Sequence, residues 1–138
     1  MKLTDNFALW EFDCHDGTPV PAAFHGNLYQ LCRLLELIRA FGRGRPLSVI
    51  SGWRSVAHNM AVGGKPQSTH LTAEGADIRC GLPADLHKLI LDEYKAGTLP
   101  ELGGLGIYPG WVHVDIRKAK DGHLRRWSGS KTGSEPGS

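Results

Sequence analysis

Two histidines and two aspartates in this chain sit where they could assemble a metal site. Ser68 to Asp77 reads STHLTAEGAD, which places His70 seven positions before Asp77. Trp111 to Arg117 reads WVHVDIR and supplies His113 and Asp115. Two neutral imidazoles and one carboxylate leave an open position on a tetrahedral zinc ion, and a hydrolytic metal needs that position to activate water. Each residue has a plainer use when taken alone: His70 in a loop or cap, Asp77 at a turn, His113 on the polar face of a strand. The combination points to metal chemistry because each residue lies beside a segment with its own reason to converge on the others.

Those segments can be read from periodicity and turn chemistry. From about Ala23 to Phe41, the residues Leu28, Leu31, Leu35 and Ile38 recur at helical spacing, and the glycine-rich FGRGRP ends that helix. Leu47 to Ser51 predicts a short buried strand. Ser55 is placed to cap a short helix over about Val56 to Ala61, and VGGKPQS reads as a loop. A strand is expected at Ala76 to Arg79. Pro83 suits the first turn of a second long helix, with Leu86, Leu89 and Ile90 as its apolar stripe and Gly97 as its stop.

LGGLGIYPG reads as a glycine-rich approach to the last core strand, Trp111 to Ile116. On a strand, alternate side chains face opposite sides. Val112, Val114 and Ile116 therefore share the core face, whereas Trp111, His113, Asp115 and Arg117 project together on the other. The first 21 residues read as an irregular N-terminal arm, and residues 128–138 as a flexible tail. The fold class expected is α+β: one domain over residues 1–127, built on a small, mainly antiparallel sheet with flanking helices. The 138 residues suffice for a hydrophobic core without disulfide staples.

Composition narrows the partners. A formal net charge of +2, with no basic run carrying interleaved aromatics, argues against nucleic acid but tolerates an anionic polymer such as a bacterial wall. No stretch is long and apolar enough to span a membrane, and MKLTDNFALWEFDCHDGTPV lacks the apolar run of a signal peptide. Cys14, Cys32 and Cys80 form no CxxC pair and read as ordinary buried thiols of a reducing cytoplasm.

SGWRS, then AVGGKPQSTH with its H…AD sequel, then GGLGIYPGWVHVDIR, together resemble the peptidase M15 family of metallopeptidases. More narrowly, they resemble its small D-alanyl-D-alanine carboxypeptidase and murein endopeptidase branch from phages and prophages. The likeness runs from about Asn6 to Arg117. It implies a fold like the D-Ala-D-Ala peptidases and hedgehog-type domains, Zn²⁺ as cofactor, and His70, Asp77 and His113 as its ligands. Where the family commonly has glycine three positions after the first histidine, this chain has Ala73.

The resemblance also suggests working parts. Arg54, in SGWRS, corresponds to a residue that contacts substrate near the scissile bond, and a guanidinium suits a carboxylate or a developing oxyanion. Several branches carry a glutamate or histidine two or three residues before the last zinc histidine, but Trp111 and Gly110 stand there in this chain. Asp115 is the nearest carboxylate on the same strand face, either as general base or as a group orienting a ligand. Ser68 could bond substrate or fix its loop, Tyr108 could donate a phenolic hydrogen bond or simply pack, and Trp111 could line the groove or pack.

The reaction implied is zinc-dependent hydrolysis of peptide bonds involving D-amino acids in peptidoglycan stem peptides. Both exo- and endo-cleavage stay open. The protein is expected to be a monomer, with neither nucleic acid nor membrane as partner. It is expected to stay cytoplasmic until release and then to act on the wall, as a phage-type lysin does. Two rivals remain in view: a catalytically silent zinc or wall-binding module, and a cytoplasmic dipeptidase.

Overall fold

The computed structural model describes residues 1–131. Its strands are β1 (Lys2–Thr4), β2 (Phe7–Ala8), β3 (Ser48–Ser51), β4 (Gly75–Arg79), β5 (Gly104–Ile107), β6 (Val112–Asp115) and β7 (Arg125–Ser128). Its helices are α1 (His25–Phe41), α2 (Val56–Ala61) and α3 (Pro83–Lys95). β3 to β7 form one five-stranded sheet in the order β3-β4-β6-β5-β7, antiparallel except for the β5–β7 pair. The α+β class with a mainly antiparallel sheet follows directly.

α1 buries Leu28, Leu31, Cys32, Leu34, Leu35 and Ile38 on one stripe, and α3 adds Leu86 and Ile90. These meet Ile78, Leu105, Val112 and Val114 from the sheet in one core cluster. Pro83 begins α3, and Gly97 just beyond its end takes φ +83°, a left-handed conformation that costs glycine nothing. α2 is capped by Ser55, whose Oγ accepts the His58 N–H at 3.1 Å.

Four segments differ from their sequence reading. β3 is an edge strand, half-exposed rather than buried. The N-terminal arm is not irregular throughout: β1 pairs with β2, a 3-10 turn follows at Leu9–Phe12, and Phe7 and Phe12 are buried. Gly104–Ile107 is a full strand rather than an approach loop. β7 forms where the composition turns polar, so the proposed tail begins inside a strand; residues 132–138 of that tail lie outside the described residues. All three cysteines are free; Cys14 and Cys32 are buried and Cys80 is half-buried. Among the described residues, no helix is long and apolar enough to cross a membrane.

Candidate metal centre

The sheet register creates the centre. Asp77 on β4 and His113 on β6 are direct cross-strand partners, so their side chains rise side by side on one face. His70 comes from a 3-10 turn, Thr69–Thr72, that feeds β4. Ser68 caps that turn, accepting the His70 N–H through Oγ at 3.2 Å. The turn closes at Ala73, which takes φ 59°, ψ 28°, the left-handed conformation a glycine would adopt at no cost. The alanine therefore preserves the turn, and its methyl is buried in the core cluster.

Ring tautomers follow from the neighbours. His70 Nδ1 lies 2.7 Å from the Gly52 carbonyl, which can only accept, so Nδ1 carries the hydrogen and Nε2 is left 3.1 Å from Asp77 Oδ2. His113 turns the other way, with Nε2 2.9 Å from Asp115 Oδ2 and Nδ1 2.9 Å from Asp77 Oδ1. His70, Asp77 and Asp115 are fully buried and His113 is 2% exposed.

Charge is balanced locally. Burial alone pushes the His113 imidazole down, but hydrogen bonds and charge from Asp115 and Asp77 outweigh it and hold it up at about 9. Burial likewise opposes ionisation of Asp77, yet the two histidines keep its carboxyl well below the usual range. His70 is lowered, chiefly by burial, and so is neutral near neutral pH.

The donors fit a tetrahedral metal. Bonds of about 2.0–2.1 Å place tetrahedral donors about 3.3 Å apart. His70 Nε2 lies 3.1 Å from Asp77 Oδ2 and His113 Nδ1 2.9 Å from Asp77 Oδ1, one histidine on each carboxylate oxygen, and a donor atom from each of the three residues lies within 4.8 Å of the other two. His70 Nε2, an Asp77 oxygen and His113 Nδ1 are thus the three atoms that would hold it. Asp115, bonded to the far nitrogen of His113, then occupies the position of a carboxylate that orients a metal-bound histidine.

The centre opens into a cleft of about 430 Å³. Thr69, His113 and Asp115 line it at the metal end, Lys65, Arg117 and Arg125 supply cations, and Tyr108 and Trp127 add aromatic surface. The Trp127 ring lies 5.2 Å from that of His113, and its Nε1 donates to Tyr108 Oη at 2.9 Å. Glu74 pairs with Arg117 at 2.8 Å, while Arg125 pairs with Asp115 Oδ1.

Among the residues singled out from sequence, His70, Asp77, His113, Asp115, Ser68 and Tyr108 gather at this end of the sheet. Arg54 does not reach the cleft. It is fully buried behind the centre, with Nη2 3.5 Å from Asp77 Oδ2 and Nη1 donating to Asn59 Oδ1 at 3.2 Å. Trp111 is 1% exposed and stacks on Tyr108 at 4.9 Å, away from the cleft lining. The sequence reading missed Thr69, whose Oγ lies 3.3 Å from His113 Nε2, and it missed Arg125 and Trp127 of β7. The alternation of Arg125 and Trp127 was a signal, but one too short to stand out from a polar C-terminus.

No curated protein matches this chain. A family model for peptidase M15 matches residues 5–115, a span that carries all three metal-type donors, Arg54 and Asp115. The match covers most of the chain and coincides with the geometry just described; this protein belongs to the peptidase M15 family of metallopeptidases.

Proposed function

We propose that this protein is a zinc-dependent peptidase that hydrolyses peptide bonds involving D-alanine in the stem peptides of bacterial peptidoglycan. The observation that carries the metal part is the cross-strand Asp77–His113 pair, joined by His70 at the metal end of a cationic cleft. Zinc is favoured over harder cations by two imidazole donors and by a three-residue set that leaves a place for water. When bound, it would polarise the scissile carbonyl and lower the pKa of that water.

The chain's own residues do the rest. Asp115 fixes His113 by accepting from Nε2, and Arg54 holds Asp77 from behind, so both set the donor geometry rather than touch substrate. Tyr108 Oη accepts from Trp127, which leaves its own hydrogen to donate toward a bound peptide. Burial pushes that phenol's pKa up, so it stays protonated at neutral pH. Lys65, Arg117 and Arg125 set three cations against the two carboxylates of Glu74 and Asp115, an excess that suits a peptide bearing free carboxylates. The D-alanine preference rests on the motif resemblance.

Purified protein with zinc and intact muropeptides tests this. Release of D-alanine identifies a carboxypeptidase, and a cut crosslink identifies an endopeptidase. Cleavage confined to free D-Ala-D-Ala would make it a dipeptidase. No product from a zinc-loaded, folded protein would support the silent-module reading. The wall is the proposed site of action, reached from the cytoplasm on release.

A further inference from the structure

A second cluster of metal-type donors lies outside the centre described above. Cys14 Sγ, a carboxylate oxygen of Asp16 and a ring nitrogen of His58 all lie within 4.8 Å of one another. Cys14 is buried, His58 half-buried and Asp16 exposed, so the group sits at the surface with its sulfur turned inward. The exposed His15 ring packs edge-on to that of His58, with centroids 6.2 Å apart.

The surroundings hold these donors in place. Ser55 N–H donates to Cys14 Sγ at 3.5 Å. Ser55 Oγ donates to Asp16 Oδ2 at 2.8 Å and accepts the His58 N–H at 3.1 Å. Hydrogen bonds from Thr18 and Ser55 keep the Asp16 carboxyl well below the usual carboxylate range. Ser55 thus bonds the sulfur of Cys14 and the carboxylate of Asp16 directly, and fixes the backbone of His58 as the cap of α2. Cys32 and Cys80 belong to no such group among the described residues.

We infer that Cys14, Asp16 and His58 form a second, structural site for a zinc-type transition metal. The set of one thiolate, one imidazole and one carboxylate selects a borderline-soft ion over calcium or magnesium. Such an ion would tie the turn at Cys14–Thr18 to the start of α2, two segments about forty residues apart in the chain. Binding releases the thiol proton to solvent and is therefore favoured by rising pH. Because Arg54 immediately precedes Ser55, the ion would also brace the loop that holds Asp77 from behind. This inference is independent of the peptidase reading, since it concerns neither substrate nor turnover.

Cobalt distinguishes the two sites, because only this one offers a thiolate. The full chain, stripped of metal and reloaded with Co²⁺, should bind two equivalents and show thiolate-to-cobalt charge-transfer absorption. His70→Ala should keep that absorption and lose one equivalent. Cys14→Ser should lose the absorption and keep one equivalent, and the exposed Asp16→Asn should weaken the thiolate-bearing site at least tenfold without affecting the other. A wild-type protein whose bound cobalt, whether one equivalent or two, shows no thiolate absorption would overturn the assignment. Absorption that survives in Cys14→Ser would do the same.

Discussion

Replacing Asp115 by asparagine tests whether its carboxylate acts through His113. Oδ2 lies 2.9 Å from His113 Nε2, and Oδ1 accepts the Arg117 N–H at 3.0 Å and pairs with Arg125. Asparagine keeps the shape and one acceptor but removes the charge that strengthens His113 as a ligand. Loss of a group in this position typically weakens metal binding by about 10- to 100-fold, which corresponds to about 1.4–2.8 kcal/mol. Arg125 is 35% exposed and can turn its charge to water, so its lost partner adds little. Competition against a chelating dye should show affinity falling within that range, while turnover at saturating zinc stays within about tenfold of wild type. Asparagine that leaves affinity intact and abolishes turnover would refute the argument, because Asp115 would then be acting on water or substrate directly.

Other perturbations follow from the same geometry. With His113 held at about 9 when metal-free, binding at Nδ1 must displace a proton, so affinity should rise with pH and level off above about 9. Calorimetry at pH 7 in buffers of different ionisation enthalpy should detect that proton, and its absence would contradict the assignment. Arg54→Met removes the guanidinium beside the buried Asp77 carboxylate but leaves His113 paired with it, and should cost about 1–3 kcal/mol in urea unfolding of the metal-free protein. Gly106→Ala would place a methyl 2.5 Å from the Trp127 indole. It should cost about 1–3 kcal/mol and raise KM more than it lowers kcat, as measured by melts and steady-state kinetics.

Much of this arrangement was legible from residue types alone, for reasons that also explain what was not. α1, α2 and α3 follow from apolar spacing, a serine cap, and punctuation by Pro83 and Gly97. β4 and β6 carry β-branched and apolar residues in alternation, so their ligands could be placed on strands. β5 escaped because Gly104 and Gly106 lower strand propensity. The structure shows why both are small: a Cβ at Gly104 would lie 2.3 Å from Asp115 Oδ2, and one at Gly106 would meet Trp127. β7 escaped because its sequence is polar and, among the described residues, it pairs only with β5. Arg54 was legible as a cation near the centre, but not its direction. Only the fold shows that it points at Asp77 from the interior.

Asp77 and His113 lie on β4 and β6, and both strands have hydrogen-bonded neighbours on each side. Amide groups in such positions exchange with solvent chiefly through global rather than local opening. These two donors are consequently as persistent as the sheet itself, and removing a bound metal should leave two of its three ligands in place. Chelation should be undone by adding metal back, with no refolding in between, and ion exchange should proceed through the cleft rather than by breathing of the strands.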